Sequence, residues 1–207
     1  PFSYQKIPSG LIKSAPECKP QIMFIIKNNM NRIRLLLFFI FLGAFATAFQ
    51  IGSMSTVGEE EADAFMKEFE NLVLDIDAFG IFTHNTTIAL PMFIPGFGTA
   101  WGLFSAWSTG YAFAAITSIT PELSNIPPLT ILFLSPFGIM EIVAYSLGIS
   151  RSFILIKAIT KKINLIQFIK PTLIEIGIVV GLLLSGGYLE MYLIDLARET
   201  GFEMPGF

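Results

Sequence analysis

Residues 33–52 read IRLLLFFIFLGAFATAFQIG. Apart from Arg34 at its start, this stretch carries no charge. It is about 20 residues long, which is the length a helix needs to cross the hydrocarbon of a bilayer. Composition extends the same reading to the whole chain. Of the 207 residues, 53% are hydrophobic, 14% are charged and 21 are Phe. A soluble domain is about one quarter charged. So few charges cannot clothe a water-facing surface, and the apolar excess is too large for a single soluble core. Lipid is therefore the expected surroundings, and the soluble and disordered classes are set aside. The single Cys, Cys18, excludes an internal disulfide and any cysteine-based metal cluster. The first apolar run begins after residue 32 and has spanning length, so it reads as a membrane segment rather than a cleaved signal.

Outward from this run, charge alternates in blocks. Residues 1–32 hold Lys6, Lys13, Lys19, Lys27 and Arg32 against one acid, Glu17. The stretch EEEADAFMKEFENLVLDIDAFGIF, starting at residue 59, holds eight acids and Lys67. Its apolar residues recur at three-and-four spacing, which predicts an amphipathic helix over 57–80 lying on the membrane or on the bundle. Residues 84–119 are apolar or small, interrupted by Pro91, Pro95, Gly96 and Gly98, and PELSNIPP (121–128) reads as a loop. TILFLSPFGIMEIVAYSLGIS (130–150) predicts another span. Residues 151–170 carry five bases and no acid, and PTLIEIGIVVGLLLSGGYLEMYLI (171–194) predicts the last span, with Pro171 at its start.

Basic segments belong in the cytoplasm. The first span then runs outward and the 130–150 span inward, so 84–119 must enter the membrane and return. The expectation is an all-α polytopic transmembrane bundle of about five membrane segments. It includes a broken or re-entrant hairpin and one external amphipathic helix. The domain scheme is a cytoplasmic segment 1–32, a membrane domain 33–196 and a short outer tail 197–207. The expected location is the cytoplasmic membrane, N-terminus inside and C-terminus outside.

Hydrocarbon supplies little force between helices, so close approach of small residues takes its place. Gly98, Gly102, Ala106, Gly110, Ala114 and Ser118 recur every fourth residue, and Gly177, Gly181 and Ser185 repeat the spacing in the last span. Gly98, Gly102, Gly110, Gly177 and Gly181 are expected to pack helices; a lined conduit or a dimer face between two copies of the chain is the alternative.

Several of these stretches resemble the stage II sporulation protein M (SpoIIM) family of integral membrane proteins. The resemblance is carried by FTHN (82–85), PGFGTAWG (95–102), SPFGIMEIVAYSLGISRS (135–152) and GGYLEMYL (186–193), within roughly residues 28–195. Asn85, Gly138, Glu141, Ala144 and Glu190 align with the family's pattern. The resemblance implies a helical protein of about five spans. In spore-forming bacteria the family member is a membrane scaffold for cell-wall-degrading partners; other members occur where no spore is made.

Glu141 falls about halfway along the expected 130–150 span. An uncompensated charge there costs about 2.5–3.5 kcal/mol on insertion scales. It should face the bundle, protonated or paired, with a carbonyl freed by Pro136 or the hydroxyl of Tyr145 as its partner. That arrangement is either an interhelical tie or a proton or cation site. Glu190 and the sole histidine, His84, are expected at one depth near the outer interface, where they could touch. Glu175, near the inner boundary, receives no role.

One His and scattered Glu residues do not make a transition-metal site. No nucleophile–base pair and no phosphate loop can be read. No catalysis, cofactor, metal or nucleic acid is therefore expected. The expected partners are the lipid bilayer, a membrane or extracytoplasmic protein and a second copy of the chain. The function expected is a non-catalytic membrane scaffold or accessory subunit. The alternative is a small transporter or channel using Glu141 as a proton or cation site.

Overall fold

The computed structural model of the protein describes residues 19–73, 76–120 and 125–200. The expected N-terminal segment and C-terminal tail fall largely outside them. Among the described residues every regular element is helical: α1 (Lys19–Ser53), α2 (Glu59–Val73), α3 (Ala78–Ala89), a 3-10 turn (Leu90–Phe93), α4 (Phe97–Ile119), α5 (Pro128–Leu134), α6 (Pro136–Thr160) and α7 (Ile166–Thr200). Arg32–Ser53, Pro136–Thr160 and Ile166–Ala197 are each long and apolar enough to cross a membrane. The chain divides into two compact units, Pro1–Leu36 and Leu37–Phe207. In the first, Ile33, Leu35 and Leu36 are exposed apolar residues. The second holds the rest of the fold described below.

Helix α6 is the centre of the second unit. It packs against α3, the 3-10 turn, α4, α5 and α7. Its Ile142, Ala144, Tyr145 and Ile149 are buried with Met92, Phe93, Val179 and Leu183. From α1, Phe41 packs its ring on Phe153 and Phe45 stacks on Tyr145, with ring centroids 5.3 and 5.6 Å apart. Helices α6 and α7 are antiparallel: Gly186 faces Met140 and Phe137 near one end, and Arg151 meets Glu175 toward the other.

The α3–α4 hairpin turns beside the later part of α6. There Ser152 Oγ donates to the Ile94 carbonyl at 2.6 Å, and Gly148 lies against Met92 and Phe93. The reversal needs Gly96, whose φ of 78° a side chain would resist. Helix α4 returns along α6 and reaches α2, where Tyr111 Oη donates to Glu61 Oε1 at 2.6 Å. The acidic helix α2 thus meets the later half of α4, while the basic α6–α7 connection (161–165) lies beyond the end of α6 that faces the start of α4.

Four boundaries differ from those read in the sequence. The expected span 130–150 is broken at Ser135, and α6 runs on to Thr160. Proline lacks an N–H and pushes its predecessor out of helical geometry. Ser135 accordingly adopts an extended ψ of 129° and accepts from Gly138 N at 3.1 Å, so Pro136 opens a new helix. The expected helix 57–80 is likewise two elements, because Asp77 caps α3 by accepting from Gly80 N at 2.7 Å.

Basic residues 151–160 belong to α6 rather than to a connection. That helix ends on Lys162, whose φ is 55°, while Ile163 N donates to the Ala158 carbonyl and Lys162 N to that of Ile159. This pair of bonds is a Schellman closure with lysine in the place glycine usually takes. Finally, α7 starts at Ile166, where the Asn164 side chain accepts from Ile166 N at 3.0 Å, so Pro171 lies inside the helix and not at its start.

Small residues set the helix spacing in one half of the molecule. A Cβ on Gly52 would strike the Trp107 carbonyl, one on Gly110 that of Phe49, one on Gly98 that of Met92, and one on Gly102 the side chain of Ile149. Gly177 and Gly181 have nothing within 4 Å of such an atom. The expected packing of these two is not formed within the chain: their side of α7 is exposed, and α7 meets α3 instead through Gly187, which approaches Ala78 and Phe82.

Candidate functional site

Helices α3, α6 and α7 bring together the polar residues that the sequence scatters over more than a hundred positions. Asn85 of α3 is buried, 9% exposed, and its Nδ2 donates to Glu141 Oε1 of α6 at 2.6 Å. Glu190 of α7 lies nearby, and Tyr145 stands one turn beyond Glu141 on α6. Glu141 and Glu190 are themselves only partly buried. An amide donor, two carboxylates and a phenol thus converge from three helices. This set offers oxygen ligands and hydrogen-bond partners, and it lacks a second basic or nucleophilic component for covalent chemistry.

Packing puts them there. Asn85 is the eighth of the twelve residues of α3, about one turn past Phe82, where α3 meets Gly187 of α7. Glu141 is the sixth residue of α6, not the midpoint of a span, because the helix begins at Pro136. Its partner is the Asn85 amide rather than a carbonyl freed by Pro136, since that proline opens its helix instead of interrupting one. Tyr145 forms no hydrogen bond to Glu141 among the described residues, and its ring is occupied with Phe45. His84, next to Asn85, is exposed, and no ion pair joins it to Glu190. Successive residues of a helix point about 100° apart. Burying Asn85 turns His84 outward, so the expected His84–Glu190 contact is not formed.

Glu175, to which the sequence reading assigned no role, is paired in the structure. Arg151 Nε donates to Glu175 Oε2 at 2.7 Å, and Arg151 Nη2 to Glu175 Oε1, a two-pronged pair between α6 and α7. The side chains are 6% and 13% exposed. A signal for it existed. Arg151 lies nine residues before the end of α6 and Glu175 nine after the start of α7. At 1.5 Å per residue both are roughly 14 Å from the connection, so an antiparallel hairpin sets them level. What hid the pair was the assignment of residues 151–170 to a cytoplasmic segment.

Around these ties the interior contains further hydroxyls. Ser150 Oγ donates to the Ser146 carbonyl, and Trp101 Nε1 to that of Ile88 at 3.0 Å. Ser146 Oγ and Thr86 Oγ1 are buried without a partner. Among the described residues no three His, Cys, Asp or Glu side chains group as a metal site.

No protein-family model matches this chain, and neither does any curated protein or solved structure.

Proposed function

We propose that the protein is a non-catalytic scaffold or accessory subunit of the SpoIIM type in the cytoplasmic membrane, holding basic extracytoplasmic partners through α2. The observation that carries this reading is the way α2 is mounted. Ala62 is buried and Glu61 is held by Tyr111 of α4, while Glu59, Glu60, Asp63 and Glu68 are exposed beside the lone Lys67. A fixed acidic face of this kind attracts a basic partner.

Two further observations support the reading. Asn85, Glu141 and Glu190, three of the residues through which the family resemblance is drawn, meet at one place although they lie on three helices. Lys161 and Lys162 just past the end of α6 and Lys170 in the first turns of α7 are exposed, which agrees with a cytoplasmic face there. In this reading α1, α6 and α7 cross the bilayer, and α3 and α4 form the broken hairpin between them. Helix α3, with 12 residues or roughly 18 Å, enters from the outer face as the short limb and α4 leads back to that face.

The test is native purification in mild detergent of the wild type and of a variant with Glu59, Glu60, Asp63 and Glu68 changed to Lys. A basic partner should accompany the wild type and be lost from a variant that remains monodisperse. A partner retained by the variant, or no basic partner at all, overturns the reading.

A second reading, a small transporter or channel, is favoured by the closeness of Glu190 to Glu141. It expects cation or proton flux in proteoliposomes that Glu141→Gln abolishes, whereas a scaffold gives no flux.

A further inference from the structure

The first turns of α7 carry an open groove of about 480 Å³, lined among the described residues by Ile166, Ile169, Lys170, Leu173 and Ile174. That volume is of the size that receives a small ligand. Its four apolar residues are between 55% and 72% exposed, so no other described element covers it. At 3.6 residues per turn, Ile166, Lys170, Leu173, Gly177 and Gly181 share one face of the helix. Gly177 and Gly181 are exposed and have nothing within 4 Å of the place a Cβ would take. The groove therefore continues along α7 as a furrow floored by backbone.

The mouth of this groove is basic. Lys170 lines it, and Lys161 and Lys162 stand in the connection five and four residues before Ile166. A chain reaches at most about 3.6 Å per residue, so both lysine backbones lie within roughly 18 Å of Ile166. All three lysines are exposed, and none pairs with an acid among the described residues. Residues 151–170 contain no acid, and Glu175, the first acid of α7, is held by Arg151. Three such amines beside an apolar furrow match a molecule with an anionic head and a hydrocarbon chain. The depth agrees as well. One leaflet's hydrocarbon is about 15 Å thick, half of the bilayer core, and α7 covers roughly 16 Å from Lys170 to Gly181.

We propose that this end of α7 binds one anionic phospholipid of the inner leaflet, its phosphate held by Lys161, Lys162 and Lys170 and an acyl chain laid along Leu173, Gly177 and Gly181. The site rests on the membrane orientation proposed above and not on the partner of α2. Lysine meets phosphate as a point charge on a flexible stem, which suits a headgroup approached from the connection and from α7 together. A second copy of the chain fits this face less well. Two copies in one membrane run parallel, and a self-complementary contact along the furrow would set Lys170 beside Lys170. Like charges so placed oppose association.

The experiment measures lipid binding, so its outcome is distinct from that of the co-purification test. The full chain in mild detergent is unfolded thermally with increasing dioleoyl phosphatidylglycerol, dioleoyl phosphatidylcholine, dihexanoyl phosphatidylglycerol or inorganic phosphate. A ligand bound only by the folded state raises the midpoint with its own concentration. The midpoint should climb with dioleoyl phosphatidylglycerol and not with the other three, each of which lacks the net charge or the long chain. Lys170→Gln should weaken the apparent affinity about fivefold, and changing Lys161, Lys162 and Lys170 together to Gln should weaken it at least about tenfold. Gly177→Leu places its side chain in open space, so the chain should fold as before, while the filled furrow weakens the affinity several-fold. Equal responses to the two dioleoyl lipids overturn the site and leave the membrane reading standing. The site is also overturned by an equal response to phosphate or to the short-chain lipid, or by a response that survives the triple lysine change or Gly177→Leu. A dimer in detergent that Gly177→Leu disperses assigns the furrow to a second copy instead. A chain that stays monodisperse without detergent removes the membrane reading and this site together.

Discussion

At the scale of single residues, the interior polar groups act in two different ways. The Arg151–Glu175 pair is a buried charge pair with two hydrogen bonds. Such pairs add little over a well-packed apolar replacement, but breaking one strands a charge at about 3–5 kcal/mol. Arg151→Met should therefore lower stability by that order in a denaturant titration in micelles, and adding Glu175→Leu should recover most of the loss. A double variant as unstable as the single one would show that the charge itself is required. The Asn85–Glu141 bond behaves differently, because Glu141→Gln keeps an oxygen to accept from Asn85. That change should shift stability by less than about 1 kcal/mol, whereas Asn85→Leu strands a partly buried carboxylate and should cost more. Glu141 and its neighbours were legible as sequence outliers, since a charge in an apolar run needs a reason. Arg151 was not, because it stands at the head of a basic stretch and reads as part of it.

At the scale of elements, helix contacts depend on which small residues face a neighbour. The four-residue repeat of Gly and Ser is equally clear in α4 and α7, yet only the α4 copy is closed upon by α1, the 3-10 turn and α6. Gly110→Val should destabilise the protein by about 1–3 kcal/mol, the usual cost of overpacking, while Gly181→Val should be near neutral for the isolated chain. Equal effects at the two positions would contradict the packing described here. The α5–α6 break rests on a local signal that is present in the sequence: serine followed by proline, with the cap bond to Gly138. Ser135→Ala should cost about 1 kcal/mol, the usual value for a lost cap. Lys162→Gly should raise the unfolding midpoint, because glycine adopts the positive φ there without strain.

At the scale of the whole molecule, the fold separates an acidic helix from a basic connection. This arrangement makes a topological prediction. With Cys18 replaced by Ser, a single cysteine at position 60 should react with a membrane-impermeant maleimide added to right-side-out vesicles. One at position 162 should react only in inverted vesicles. Labelling of both from one side would remove the membrane arrangement proposed for α4 and α6, and with it the acidic docking face.

Composition and the length of the apolar runs by themselves pointed to a helical chain with segments long and apolar enough to cross a membrane, since so few charges cannot cover so much apolar surface in water. Periodicity and charge blocks located α1, α2, the α3–α4 hairpin and α7, because these signals repeat over several turns. Pairing was decided only in three dimensions. Whether Glu141 meets Tyr145, His84 or Asn85, and whether Gly110 or Gly181 bears a neighbour, depends on the rotation of one helix against another. That rotation follows from how side chains across the interface fit, and no single helix records it.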